Sequence, residues 1–267
     1  MRAPEAAASP KVELRGISLR YFGLEGETEA LRDVSLSVAP GEFVAIIGQS
    51  GCGKSTLLSL ISGIIKPTSG TVLLEGKPVA GPSRKVGYML QQDYLFEWRT
   101  ILDNTVLGAE IQRADMGKAR ERGAQLLTRY GLGEFLHHRP RQLSGGMRQR
   151  VALARTLTTE PDVVLLDEPF SALDSQTRLA LADEVTDILR REGKTALLVT
   201  HDIGEAISMA ERVIVLSRRP GRVKSEHRID FATPDGVRPT PFAARTAPEF
   251  NQYFNALWRE LEVHVQG

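Results

Sequence analysis

The chain has 267 residues, which is enough for one large domain or two small ones with a substantial core. Its hydrophobic (42%) and charged (25%) fractions are ordinary for a globular protein, and its net charge of +1 gives no bulk attraction for nucleic acid, so no nucleic-acid partner is expected. The one cysteine, Cys52, excludes an intrachain disulfide. No apolar run reaches transmembrane length, so at a membrane another component would have to hold the chain.

The N-terminal region predicts two strands. Residues 1–11 are Ala-rich and are expected to be disordered. Segments 12–20 and 31–38 alternate between apolar and polar residues and predict strands, with a polar, Gly- and Glu-rich loop over 23–29. Tyr21 follows the first strand. An exposed aromatic there could stack on a purine ring, although edge packing is the favoured interpretation from the residues alone.

The next stretch carries a phosphate-binding motif. Segment 43–47 is a short apolar run that predicts a buried strand, and the residues after Ser55 predict a helix. Between them lies the pattern G-x-x-x-x-G-K-[ST], whose glycines let successive amides turn toward phosphate oxygens at a helix N-terminus. A chance glycine-rich turn is the weaker alternative because the flanking strand and helix are both present. The predicted nucleotide-binding residues are Gly48, Gln49, Ser50, Gly51, Cys52, Gly53, Lys54, Ser55 and Thr56.

Three of these residues have distinct chemistry. Lys54 supplies a point charge for the terminal phosphates, and the Ser55 hydroxyl is placed to ligate Mg²⁺. Cys52 lies near a helix N-terminus, which could lower the pKa of its thiol. The favoured interpretation is that Cys52 is only a spacer.

A helical insertion is predicted after strands at 71–74 and 86–90. Gln91 ends the second of these strands and is a candidate ligand for a metal or a water, although a solvated turn is commoner for a Gln pair. The apolar segment 94–98 is either local core or a surface that another protein covers. Segment 94–159 reads as helical, including an amphipathic helix over 119–130 that ends at Gly131.

A second candidate anion site opens the last helix of this insertion, predicted over 147–159. Ser144, Gly145 and Gly146 offer a hydroxyl and unobstructed amides at its start. In isolation, an ordinary serine N-cap is the favoured interpretation.

Acidic and histidine side chains follow the next two predicted strands. The apolar run 163–166 ends in Asp167 and Glu168, and 195–200 ends in His201. Asp167 is predicted to hold magnesium and Glu168 to act as general base on an attacking water. His201 is predicted to contact a γ-phosphate or to hold the base in place.

The C-terminal region contains one more strand, a basic turn and a final helix. Segment 212–216 predicts the strand, and 218–221 is the basic turn. The helix predicted over 248–263 has apolar residues at helical spacing, and we expect it to pack on the chain's own core. A partner-binding helix is the alternative.

Taken together, these motifs resemble the ATP-binding subunits of ABC transporters. The resemblance covers residues 12–216 and rests on the order of its motifs: Tyr21, the phosphate loop 48–55, Gln91, the signature 143–150, Asp167 with Glu168, the segment 171–174 and His201. It implies an α/β P-loop NTPase with a RecA-like mixed sheet, an N-terminal antiparallel β part and an inserted helical subdomain. The implied units are a core of 12–93 and 160–217, the subdomain 94–159 and an extension 218–267.

The resemblance also implies a mechanism. Such proteins work as head-to-tail dimers that bind ATP and Mg²⁺ between the phosphate loop of one copy and Ser144, Gly145 and Gly146 of the other. Tyr21 would then stack on adenine. Gln91 would sense metal and water, and Phe96 and Trp98 would contact a membrane subunit.

A softer resemblance, carried by residues 98–100 and 140–142 and by Met147, points to importers of the nitrate, sulfonate and taurine type. It implies a separate permease, an indirect link to a substrate-binding protein, and a peripheral position on the cytoplasmic face of the membrane. The alternative is a soluble ABC ATPase that is not linked to transport. A non-hydrolysing ATP-binding module is disfavoured because Glu168 and His201 are both present.

Overall fold

A computed structural model describes residues 9–23, 26–233 and 237–262. The predicted disorder of the N-terminus concerns mainly residues 1–8, which lie outside the described residues. Lys11 is described and well anchored. Its amide donates to the Val38 carbonyl (2.8 Å), and its ammonium contacts Asp162 (3.3 Å).

The strands and helices follow the order expected of an α/β chain. The strands are β1 Val12–Gly23, β2 Gly26–Val38, β3 Phe43–Ile47, β4 Ser69–Leu74, β5 Lys77–Pro78, β6 Val86–Met89, β7 Val163–Asp167, β8 Thr195–Val199, β9 Arg212–Leu216 and β10 Val223–Arg228. The helices are α1 Lys54–Ile61, α2 Ile101–Thr105, α3 Leu107–Ile111, α4 Met116–Arg129, α5 Gly145–Thr158, α6 Ser175–Arg191, α7 Ile203–Met209, α8 Pro241–Ala244 and α9 Pro248–Glu262.

An antiparallel sheet in the order β2-β1-β4-β5 forms the N-terminal part. The predicted loop over 23–29 is wrong, because β1 and β2 continue pairing to Gly23 and Gly26. Leu24 and Glu25 lie outside the described residues. Both strands are exposed near this tip, so no apolar alternation marked them as strands. Near the tip of this hairpin, Arg20 and Glu27 form a cross-strand ion pair (2.8 Å).

A six-stranded sheet in the order β10-β9-β3-β8-β7-β6 forms the centre of the chain. Strands β3, β7 and β8 are buried at every position, as their unbroken apolar runs predicted for a parallel sheet covered on both faces. These three strands and β6 run parallel and all end at one edge, which brings the phosphate loop, Gln91, the Asp167–Glu168 pair and His201 together. Strand β10 is an antiparallel edge strand that the sequence analysis missed, because half of its side chains face solvent and are polar.

Helices α2 to α5 lie between β6 and β7. Helix α4 begins at Met116, three residues before the predicted start, because the Asp115 carboxylate accepts hydrogen bonds from the amides of Gly117 and Lys118. Its predicted apolar face is buried, with Leu127 and Tyr130 in the core. Helix α5 begins with Ser144 as its N-cap, and the Ser144 hydroxyl accepts from the Met147 amide (3.2 Å).

The C-terminal helix α9 packs on the chain's own core, as its spacing predicted. Leu257 is fully buried, while Phe250, Phe254 and Leu261 pack beside it. Trp258 on the same helix is 46% exposed. Helix α7, the element that α9 contacts, was not predicted because it is short and buried all round, which leaves no amphipathic pattern.

Candidate active site

A groove of about 710 Å³ lies at the carboxyl edge of the central sheet. It is lined by ten of the residues predicted from the sequence, namely Tyr21, Ser50, Gly51, Gly53, Lys54, Ser55, Thr56, Gln91, Glu168 and His201. Three residues that were not predicted also line it: Thr28, Ala30 and Arg219. The structure therefore gathers most of the predicted site in one polar hollow next to the start of α1.

The phosphate loop wraps around its own lysine. The Lys54 ammonium donates to the carbonyls of Gly48 (2.9 Å) and Gln49 (3.1 Å), and the residue is only 7% exposed. Gly53, just before α1, has φ of 105°, and a Cβ there would lie 2.6 Å from a methyl of Leu31. Only glycine fits this position, and it is the glycine that lets the loop turn directly into the helix.

Three predicted loop residues, Gly48, Gln49 and Cys52, are not among the described residues that line the groove. Cys52 is buried, and this burial raises the pKa of its thiol, so the spacer interpretation is the one the structure supports. The Gln49 side chain turns toward the C-terminal region. Its amide nitrogen donates to the Leu261 carbonyl (3.2 Å), and its oxygen accepts from Arg218 Nε (2.8 Å).

Asp167 lies behind the phosphate loop with two hydroxyl partners. The Ser55 hydroxyl donates to one carboxylate oxygen (3.0 Å), and the Tyr88 hydroxyl donates to the other (3.4 Å). Burial raises the pKa of Asp167, and the neighbouring charge of Glu168 adds to this, while the two hydrogen bonds and Lys54 act in the opposite direction. A serine hydroxyl beside a carboxylate is a hard oxygen donor pair, which fits Mg²⁺.

Tyr88 was missed by the sequence analysis. It lies on β6, and burial raises the pKa of its phenol to about 12, so it remains a hydrogen-bond donor to Asp167 at neutral pH. No motif distinguishes such a tyrosine from an ordinary strand residue.

Glu168 is held by two predicted residues at once. Gln91 Nε2 lies 3.1 Å and His201 Nδ1 lies 3.3 Å from the same carboxylate oxygen, Oε2. The Glu168 backbone has φ of 48° and its amide donates to the Val199 carbonyl (2.8 Å), which fixes the direction of the side chain. The structure thus places the Gln91 amide nitrogen on Glu168 rather than on the Ser55–Asp167 pair.

The family described as ABC transporter matches residues 31–171 of the chain. The chain belongs to this family. It is an ATP-binding protein and an ATPase, and the predicted P-loop fold class is confirmed by the solved cassettes it resembles.

Several curated relatives span nearly the whole ABC chain. It is 45% identical over 241 residues to the "Uncharacterized ABC transporter ATP-binding protein YtlC" of Bacillus subtilis, covering 90% of this chain and 92% of the relative. It is 38% identical to the "Taurine import ATP-binding protein TauB" of Roseobacter denitrificans, covering 96% and 97%. Among solved structures, a dimeric post-hydrolysis state of the ATP-binding cassette MJ0796 bound to ADP and Pi superposes with a TM-score of 0.76 at 35% identity, covering 83% of this chain and 100% of that one.

The signature residues of the chain lie outside the groove that its phosphate loop lines. Ser144, Gly145 and Gly146 are not among the described residues that line the groove. Gly145 instead lines a smaller hollow of about 350 Å³ together with Asp93 and Arg148, and Gln91 lines both hollows. The two predicted anion sites therefore lie in two adjoining hollows rather than in one.

Two side chains of α5 to which the sequence analysis assigned no role tie the signature helix to the site. Gln149 Nε2 donates to the Glu168 carbonyl (3.3 Å), and Gln149 Oε1 accepts from the Ala172 amide (3.1 Å). Arg155 donates to the carbonyl of Asp93 (2.6 Å), which is the second residue after Gln91. These contacts join residues distant in sequence, and the helical pattern of α5 alone carried no signal for them.

Proposed function

We propose that this chain is the ATP-hydrolysing subunit of an importer that takes up a small solute of the nitrate, sulfonate or taurine class. Relatives named as taurine import proteins, 38% identical in Roseobacter denitrificans and 40% in Burkholderia pseudomallei, support this assignment. The ATPase would drive transport through a separate permease. The competing proposal is a soluble ABC ATPase with no permease.

Five side chains of the groove have a role in this proposal. Glu168 is the general base that polarises the attacking water, and its two partners, Gln91 and His201, orient it. Lys54 binds the terminal phosphates, and Tyr21, which is 47% exposed, stacks on the adenine.

Ser55 and Asp167 would hold Mg²⁺, with the amide oxygen of Gln91 as a further ligand while its amide nitrogen contacts Glu168. The ion supplies positive charge that stabilises the phosphoryl group during transfer. The contact between the Ser55 hydroxyl and Asp167 (3.0 Å) supports this assignment, because it already places two oxygen donors side by side.

The separation of the signature from the groove carries the proposal of a dimer. Ser144 and Gly145 are exposed, and none of Ser144, Gly145 and Gly146 is among the described residues that line the nucleotide groove of their own chain. A second copy, placed head to tail, would bring these residues onto the ATP held by the first copy. The relative MJ0796 is described as dimeric in both solved structures, which supports the same arrangement here.

The segment after Gln91 is the proposed contact with the permease. Trp98 is 70% exposed and stacks on Phe96 at 4.8 Å between ring centroids, while Leu95 beside them is buried. We propose that a helical unit, residues 94–159, makes this contact and that a core unit, residues 12–93 and 160–217, binds the nucleotide. Residues 218–267 form a C-terminal extension.

A substrate-binding protein would act through the permease. No helix of the described residues is long and apolar enough to span a membrane. We propose that the permease holds the chain at the cytoplasmic face.

The base and the dimer are tested together by Glu168→Gln. This variant should still bind ATP, lose hydrolysis, and elute as a stable dimer from size-exclusion chromatography with ATP, because the closed state no longer decays. Glu121→Gln, the same change at an exposed position of α4 that lines neither hollow, is the matched control and should turn over normally. Wild-type turnover by Glu168→Gln would remove Glu168 as the base.

The transport role is tested by affinity purification from the native membrane. The expected result is co-purification of a polytopic membrane protein, lost when Trp98 is replaced by Ala. Recovery of a soluble complex with DNA or ribosomes instead would support the competing proposal.

A further inference from the structure

The basic turn 218–221 has no part in the roles assigned above, yet it lies directly on the phosphate loop. The Gly221 amide donates to the Ala30 carbonyl (2.9 Å), and the Gly221 carbonyl accepts from the Arg32 amide (3.0 Å). A Cβ at Gly221 would lie 2.1 Å from the carbonyl oxygen of Cys52, so only glycine fits between them. The backbone of the turn is therefore wedged between β2 and the phosphate loop.

The turn is also closed on itself. The Ser217 amide donates to the Arg222 carbonyl (2.9 Å), and the Arg222 amide donates to the Ser217 hydroxyl (3.0 Å). Because both ends are held, the residue in the middle of the turn projects from a fixed position.

That residue is Arg219, and its side chain reaches the nucleotide groove. Arg219 Nε donates to the Gly51 carbonyl (3.3 Å), and a Cβ at Gly51 would lie 3.2 Å from Arg219 Nη2. Arg219 lines the groove beside Ser50 and Gly51. Within the described part of the chain it forms no ion pair with a carboxylate.

An arginine in this position has unused capacity for an anion. A guanidinium carries five N–H donors in a planar fork and remains charged at any physiological pH. Its one donation to Gly51 leaves further donors, and the adjacent loop is built to hold phosphate. Charge-assisted hydrogen bonds from arginine to phosphate oxygens are among the stronger contacts a protein can make.

We propose that Arg219 binds the phosphate chain of the nucleotide held by the phosphate loop of the same copy. Arg219 supplies a second positive charge in addition to that of Lys54. It comes from outside the phosphate loop and does not depend on a partner subunit. This inference rests on nucleotide binding at the loop and adds a residue to it.

Titration of the full-length protein with a fluorescent ADP analogue and Mg²⁺ tests the proposal, because ADP binding requires no closed dimer. Arg219→Ala should weaken binding about tenfold, and its affinity should fall less steeply than that of the wild type as salt is raised. Arg219→Lys should retain most of the affinity. Arg222→Ala removes the same charge from the residue that follows the turn, outside the groove lining, and it should bind as the wild type does.

Arg219→Gln separates charge from support of the loop. Glutamine can still donate to the Gly51 carbonyl but carries no charge. Arg219→Gln should therefore bind the analogue as weakly as Arg219→Ala does. Wild-type affinity for Arg219→Gln would show that the residue only supports the loop, and wild-type affinity for Arg219→Ala would also overturn the proposal. Lys54→Ala is the reference for the loop itself. If the wild type does not bind the analogue, the assumption that the loop binds nucleotide is wrong. This outcome differs from wild-type affinity in the Arg219 variants, which would overturn the role of Arg219 alone.

Discussion

Replacing Asp167 by asparagine is expected to stabilise the nucleotide-free protein while removing its hydrolytic activity. Asp167 is 4% exposed, and its hydrogen-bond partners are the neutral hydroxyls of Ser55 and Tyr88. Burial raises its pKa more than these bonds and the charge of Lys54 lower it, so the charged carboxylate costs folding free energy. Asparagine keeps the size and one acceptor but removes the charge.

The size of the effect follows from what a single buried substitution does to stability. Removing a buried charge that is poorly compensated should change the free energy of unfolding on the order of 1 kcal/mol, within the usual range for point substitutions. For a chain of this length that is about 2–4 °C in the midpoint of thermal unfolding.

The effect should also depend on pH. Because the pKa of Asp167 is raised in the folded state, the cost is fully present above that folded value and disappears as the pH falls below the unfolded value. The advantage of Asp167→Asn should therefore shrink as the pH is lowered from neutrality toward 3.8, the ordinary value for aspartate.

Thermal unfolding followed by circular dichroism, without nucleotide or Mg²⁺, measures this directly. Asp174→Asn is the matched control. The Asp174 carboxylate accepts from the amides of Gln176 (3.1 Å) and Thr177 (3.0 Å) at the start of α6, and these bonds lower its pKa. The same substitution there should give no gain. An unchanged or lower midpoint for Asp167→Asn would refute the argument that its buried charge is poorly compensated.

Two further predictions test other parts of the structure. Leu257→Ala should lower the free energy of unfolding by about 3 kcal/mol, because it leaves a cavity under α9, whereas Trp258→Ala on the exposed side should cost less than about 1 kcal/mol. Equal effects in chemical denaturation would show that α9 does not depend on core packing. Tyr21→Ala should weaken ATP binding about tenfold through loss of base stacking while Tyr21→Phe retains it, and equal losses in a fluorescence titration would contradict stacking. Phe22→Ala, at a side chain 77% exposed, is the control.

The central sheet could be predicted from sequence because its strands are buried on both faces. Continuous apolar runs such as 163–166 have one stable environment, and the polar residue that ends each run must lie at the carboxyl edge. Glu168, His201 and Lys54 could be placed in one site for this reason. Strand β10 and the tip of the β1–β2 hairpin could not, because half-exposed strands stabilised by backbone pairing leave no apolar pattern.

The directions in which individual side chains of the site point could not be predicted from the sequence. Gln49 belongs to the phosphate motif but turns to Leu261 and Arg218, more than 160 positions away. Gln149 and Tyr88 contact the acidic pair from elements that read only as helix and strand. Such contacts depend on how distant segments pack, and local pattern does not encode them.

The contact between Gln49 and the last turn of α9 has a practical consequence for handling the protein. Lys224 and His227 also bind the end of this helix, through the carbonyl (2.5 Å) and the carboxylate (2.8 Å) of Glu260. Any tag, fluorophore or fusion partner attached at the C-terminus would therefore follow closely on a helix end that contacts Gln49 of the phosphate loop, and it would disturb that contact. Nucleotide affinities should be compared between proteins labelled at opposite ends of the chain before a C-terminal label is used in any binding assay.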